Sequence, residues 1–146
     1  MPEPSLRERA LGFLSRREYS RLELKRKLAP HAEDEQEVEK LLADFAARGW
    51  LSETRFTEQI VHARRSKYGA QRIVHELKEK GVSAEAVAAI LPELRESELE
   101  RARTVWTKKF GVQPQDARER AKQMRFMISR GFGSGIIGKV LQGSGY

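Results

Sequence analysis

Two stretches of this sequence carry residue types that do chemistry in other proteins. Gly133-Ser134-Gly135-Ile136-Ile137-Gly138-Lys139-Val140 fits both G-x-x-x-x-G-K and G-x-G-x-x-G. Both patterns cradle phosphate only where a strand passes into a helix N-terminus, with backbone amides aimed at the anion. Here the preceding residues, Gln123 to Arg130, have helical spacing, and Val140 stands where a hydroxyl would hold magnesium. The expected element is a glycine-softened last helix, not a nucleotide site. The acids Glu33, Asp34, Glu35, Glu37 and Glu39 cluster without the spacing of a metal or acid–base pair. They suit a helix entry, where negative charge complements the dipole. His31 follows Pro30 in a predicted loop, and His62 and His75 lie among basic residues on predicted helices. With no Cys anywhere, disulfides, thiolate nucleophiles and Cys-type zinc or iron–sulfur sites are ruled out. No cofactor, metal or catalytic centre is expected, so the protein is read as a non-enzyme.

What remains is positive charge. The 146 residues hold 28 Lys+Arg against 21 Asp+Glu, a formal net charge of +7, which favours polyanionic partners. The charge is distributed in blocks: eight basic residues in 7–27, six in 64–80 and nine in 101–130, with acids concentrated at 33–44 and 93–100. The residues flanking predicted apolar helix faces are the candidate contacts: Arg16, Arg17, Arg21, Lys25 and Arg26; Arg64, Arg65, Lys67 and Arg72; Lys108, Lys109, Arg125 and Arg130. The fourfold spacing of Arg17, Arg21 and Lys25 predicts one stripe along a helix. Trp50, Phe56, Tyr68, Trp106 and Phe132 are read mainly as packing residues.

The elements that must position these groups are helices. Apolar residues recur at helical spacing (Leu6, Ala10, Leu14; Val38, Leu42, Phe45; Ile73, Leu77; Val87, Leu91), and almost nothing alternates with period two. Ser5/Glu8, Ser20/Glu23 and Ser97/Glu100 have capping-box spacing. Gly49, Gly81 and Gly131 each follow a basic residue, as at helix C-termini, and the five prolines are expected at ends or entries. No apolar run approaches a membrane span, and Met1 to Arg9 lacks the apolar core of a signal peptide, so a cytoplasmic location is expected. The pattern V/I-x-x-[LIV]-L occurs three times in register, at Val38–Leu42, Val87–Leu91 and Ile137–Leu141. Leu28, Leu77 and Met127 lie ten residues ahead of these, and Leu24 and Ile73 also align, but the third copy has Gln123 there. A period near 49 holds three short helices, too few to bury an apolar face alone but enough when stacked. The expected fold is all-α: three tandem three-helix repeats, at 5–51, 52–92 and 93–142, forming an elongated, curved array.

Within this frame the sequence resembles the RecX family, regulators of the bacterial RecA recombinase. The resemblance is carried by Lys67-Tyr68-Gly69-x3-Ile73-x3-Leu77-x2-Lys80-Gly81-Val82, by Gly49-Trp50-Leu51 with Arg55-Phe56, and by Arg130-Gly131-Phe132, and it spans Leu6 to Gln142. Ser52 precedes Glu53 where the family shows an acidic residue after the aromatic-Leu step, a departure that leaves a helix cap intact. The resemblance implies a modulator lodged in the groove of the RecA–single-stranded-DNA filament, inhibiting its extension, ATP hydrolysis, strand exchange and co-protease activity. It implies RecA and single-stranded DNA as partners, with weaker duplex binding, no membrane, and a monomeric state. The charge placement, not the resemblance, selects the thirteen contact residues. Two other readings fit the residues: a stand-alone helix-turn-helix protein using Ser20–Leu28 as recognition helix, and a helical adaptor for an acidic protein.

Overall fold

The computed structural model describes residues 2–142, and among them every regular element is helical. Unit 1 contains α1 (Leu6–Leu14), α2 (Arg21–Leu28) and α3 (Glu35–Ala47). Unit 2 contains α4 (Glu53–Arg64), α5 (Ala70–Glu79) and α6 (Ala84–Glu96), and unit 3 contains α7 (Glu98–Lys109), α8 (Ala117–Ser129) and α9 (Ser134–Leu141). Side chains fix most of the starts. The Ser5 and Ser20 hydroxyls accept from the Glu8 and Glu23 amides while those glutamates accept from the serine amides, two reciprocal caps. Asp34, Ser52, Ser83 and Asp116 cap α3, α4, α6 and α8 in the simpler one-way form.

Three expectations are corrected. Ser97 caps nothing: α6 runs to Glu96 and α7 begins at Glu98, so Ser97 stays in helical backbone and its hydroxyl turns back on the Glu93 carbonyl. Pro92 lies inside α6, on its exposed face, where water can satisfy the carbonyl a missing amide leaves free. His31 lies in a 3-10 turn, Ala29–His31, that continues α2. The glycine-rich segment forms α9 directly after α8, with no strand before it, so the phosphate-loop context is absent.

Each unit has its own apolar core. Leu24, Leu28, Val38, Leu42 and Phe45 centre the first, Phe56, Ile73, Leu77 and Leu94 the second, and Ala102, Met127, Phe132 and Ile137 the third. The repeat positions therefore point inward throughout, including Gln123, which is 2% exposed. Its amide survives burial because every polar atom is matched: the Trp106 indole donates to Oε1 at 2.8 Å, and Nε2 donates to the Val112 carbonyl at 3.0 Å. The substitution that weakens the third repeat on paper is thus a polar tie inside an otherwise equivalent core.

Substantial helix–helix packing stays within units, apart from α6 against α7, and the units meet through turns. The accessible area of 9530 Å² exceeds the about 7,600 Å² expected of a compact monomer of 16.7 kDa, in keeping with units strung in a row. At both joints the start of the second helix of one unit presses on the turn after the second helix of the next. Gly81 and Gly131 sit at these points with φ of +81° and +90°. A Cβ on Gly81 would meet Leu22 Cβ at 2.9 Å, and one on Gly131 would meet the Arg72 Cβ and its backbone nitrogen. The second joint is also tied by backbone: Gly69 N–H donates to the Arg130 carbonyl at 2.7 Å and Gln71 N–H to the Gly131 carbonyl at 3.2 Å.

Candidate nucleic-acid and protein interface

In unit 1 the expected basic stripe does not form. Arg17 precedes α2 in the turn, not on the helix, and its guanidinium donates to both Glu23 oxygens at 3.2 Å while lying 3.6 Å over the Tyr19 ring. Arg21 donates to Glu39 at 3.2 Å, and Lys25 pairs with Glu35 at 2.8 Å and Glu39 at 3.0 Å. The acids come from α3, which packs beside α2, so the fold neutralises charges that the sequence separates by ten to eighteen residues. Hydrogen bonds to Glu35 and Glu39 hold the Lys25 ammonium above its ordinary value, and Lys25 and Arg21 hold Glu39 below its own. Arg16 and Arg26 are exposed and have no ion-pair partner among the described residues.

In units 2 and 3 the candidates divide. Arg64 is tied to Glu76 at 2.8 Å, which raises its pKa, and Arg65 to Glu93 at 2.6 Å. Lys67, Lys108 and Arg125 are exposed. Arg65 and Lys108 share an open groove of about 600 Å³ with His62, Ser97 and Thr104. Arg72, Arg130 and Lys109 instead gather on aromatic faces at the second joint. Arg72 lies 4.1 Å over Tyr68 and donates to the Ser129 carbonyl at 2.9 Å. Arg130 lies 5.9 Å from the Tyr68 ring and 4.7 Å from that of Phe126, and Lys109 stands 5.2 Å from Phe126. None of these three cations has a carboxylate partner among the described residues.

The repeat explains the contrast. Glu23 and Arg72 occupy equivalent positions 49 residues apart, and Lys80 and Arg130 equivalent positions 50 apart. At the first joint Lys80 donates to Glu23 at 2.9 Å, and that carboxylate also holds Arg17. Burial alone would raise the Glu23 carboxyl, but hydrogen bonds from Arg17, the Ser20 backbone and Lys80 outweigh it and lower it to about 2. At the second joint both equivalent residues are arginines, so nothing closes the charge.

Two charged positions that build the second joint are absent from the charge-based selection. Arg101, counted there only as part of a basic block, sends its guanidinium into the second joint, donating to the Arg65, Tyr68 and Leu94 carbonyls at 2.7–2.9 Å and to Ser97 Oγ at 2.9 Å. Burial lowers its pKa, with nearby Glu98 opposing that shift. Glu98 is 7% exposed and accepts from the Ala70 amide at 2.6 Å, holding the start of α5. A charged run gave no sign of which member turns inward. The 49-residue offset that places an arginine opposite a glutamate was the available signal for the second joint. Of the packing aromatics, Phe56 and Phe132 are buried, whereas Trp50 is 41% exposed, set edge-on to Phe45 and flanked by Arg7 and Arg48. Among the described residues no three His, Cys, Asp or Glu side chains gather as a metal site, and no helix is long and apolar enough to cross a membrane.

Comparison with known proteins places this arrangement. Three family models match in order: the first RecX three-helix domain over residues 7–45, the second over 52–91 and the third over 96–141. The chain is 50% identical over 140 residues to the regulatory protein RecX of Ralstonia nicotianae, covering 96% of this chain and 88% of that one. It is also 50% identical over 141 residues to the regulatory protein RecX of Leptothrix cholodnii, covering 97% and 90%. Among solved structures, RecX from Lactobacillus salivarius superposes with a TM-score of 0.79 at 17% identity, covering 94% of this chain and 92% of that one. A second crystal structure of a regulatory protein RecX gives 0.82 at 19% identity, covering 94% and 72%. At these identities the structural matches speak for the fold.

Proposed function

The chain belongs to the RecX family, and from that premise we propose that it is a cytoplasmic, non-enzymatic regulator acting in the groove of the RecA–single-stranded-DNA filament. It would restrain filament extension, ATP hydrolysis, strand exchange and co-protease activity, damping recombination and the SOS response. The observation that carries this reading is the row of three helical units joined end to end, with cations left open at the joint between the second and third. A strung-out array can touch several filament protomers and the DNA together, and multivalent contact gains affinity through effective concentration without one dominant site.

The thirteen basic residues remain the proposed contacts, now with different weights. Lys67, Arg72, Lys108, Lys109, Arg125 and Arg130 are open to a polyanion, as are Arg16 and Arg26. Arg17, Arg21, Lys25, Arg64 and Arg65 can engage one only by giving up a carboxylate. That cost argues against α2 as the recognition helix of a stand-alone duplex-binding protein, since two of its basic side chains face the acids of α3. Titration into RecA, ATP and single-stranded DNA tests the proposal. ATP hydrolysis and filament length should both fall as the protein is added, and no change at excess protein rejects it.

A further inference from the structure

We infer that the second joint is a subsite for single-stranded nucleic acid, in which guanidinium-backed aromatic rings receive an unpaired base while the same arginines and Lys109 hold its flanking phosphates. The inference rests on the filament-binding reading above but assigns the contact to particular side chains and to the DNA component.

The geometry is a ladder of alternating cations and rings crossing from unit 2 to unit 3: Arg72 on Tyr68, Arg130 between Tyr68 and Phe126, Lys109 on Phe126. Phe110 closes its far end, edge-on to Phe126 at 5.4 Å. The rungs are positioned, not loose. Arg72 is anchored through the Ser129 carbonyl, and the backbone carbonyl of Arg130 accepts from Gly69, so the rungs flanking Tyr68 belong to the joint itself. Arg72 and Lys109 are exposed, and Tyr68, Phe126 and Arg130 are half-buried, so each keeps some surface towards solvent. Glu76 and Glu79 line the same groove as Tyr68 and Arg72 but are engaged by Arg64 and His75, so the three cations stay unpaired and an arriving phosphate can pair with them. Rings and guanidinium planes are also the surfaces on which splayed bases stack, a recognition that paired bases inside a duplex cannot offer. An acidic peptide would satisfy the arginines but leave the rings without a role.

The first joint supplies an internal control. Its ring, Tyr19, is 6% exposed and its cations are closed by Glu23, so it should contribute little to such binding.

The test is fluorescence anisotropy of the full chain alone with a labelled oligothymidylate, an abasic strand of equal length and inorganic polyphosphate. Wild-type protein should prefer oligothymidylate to the abasic strand by about tenfold. Arg72→Glu and Arg130→Glu should each weaken oligothymidylate binding about tenfold or more, and together reduce the salt slope by about 0.7 per lost phosphate contact. Tyr68→Ala, which keeps the charges, should erase the preference for bases over the abasic strand. Arg72→Lys, which keeps the charge but not the plane, should keep its affinity for polyphosphate and lose part of the preference for bases, and Lys40→Glu, in α3, should behave as wild type. Circular dichroism melting checks that each variant is folded. Unchanged oligothymidylate affinity in the folded double variant overturns the subsite, and so does equal wild-type affinity for all three probes. RecA ATPase inhibition, measured in parallel, separates the two ideas. Inhibition that persists while the double variant binds DNA normally rejects the subsite alone. Wild-type protein that binds DNA as described but leaves RecA unaffected rejects the filament reading and keeps the subsite.

Discussion

The two joints of the array are built at equivalent positions and closed by opposite means. Between units 1 and 2 the contacts are ion pairs near the surface: Glu18 with Arg55, and Lys80 with Glu23, which Arg17 of the same unit also holds. Between units 2 and 3 they are backbone hydrogen bonds and a guanidinium spent on three carbonyls, with the surface charge left open. Water and salt compete with the first kind and are largely shut out of the second. One joint should therefore yield to solution conditions while the other holds its shape and offers cations outward.

The sharpest way to break this contrast is a methyl group. Gly131→Ala forces a side chain into left-handed backbone and against the Arg72 main chain, so a loss of about 3–5 kcal/mol in urea unfolding is expected. Gly81→Ala meets only the Leu22 side chain and should cost about 2 kcal/mol. If the two variants lose equal stability, the second joint is no tighter than the first. Next in size is Arg101→Met, which strands three carbonyls and should cost about 3 kcal/mol, whereas Arg55→Met at the first joint should cost under about 1 kcal/mol. Double-mutant stability measurements check both.

A smaller effect is expected from Glu23→Arg, which gives the first joint the charge pattern of the second. Losing the partners of Arg17 and Lys80 should destabilise by about 1–2 kcal/mol, while heparin retention rises because the joint is now open to anions. The smallest effect is that of acid. The Glu23 carboxyl titrates at about 2 in the folded chain against its usual 4.5, so its contribution is full above pH 4.5 and is lost as pH falls towards 2. Native-state exchange at the first joint should rise across that window, with Glu23→Gln flattening the profile.

Helices, most caps and the threefold repeat were legible because they depend on near neighbours in sequence: Ser5 with Glu8, or apolar residues three and four apart. Ser97 was misread because the same Ser-x-x-Glu spacing caps a helix only where the chain leaves helical backbone, and here one helix follows another after a single residue. The candidate site was legible in composition but not in state. Arg21 and Arg72 look alike in the sequence, and only the packing of α3 against α2 supplies Glu39 to one and nothing comparable to the other. Arg101 is the extreme case. Burial of a guanidinium needs several carbonyls converging, here from the turn between α4 and α5 and from α6, and no local pattern announces such a convergence.

The glycine used at both joints has no counterpart in unit 1. Four residues beyond Leu28, where Gly81 and Gly131 stand relative to Leu77 and Met127, lies Ala32, in extended backbone at φ −97° after a 3-10 turn. A joint that could be repeated between molecules would make this chain a building block for fibres, since a head-to-tail contact that does not close on itself continues indefinitely. With a methyl group and a different backbone at its leading face, unit 1 is a poor receiver for the turn of another copy. A contact between chains built like the two joints would therefore have to do without the positive-φ glycine that each of them uses.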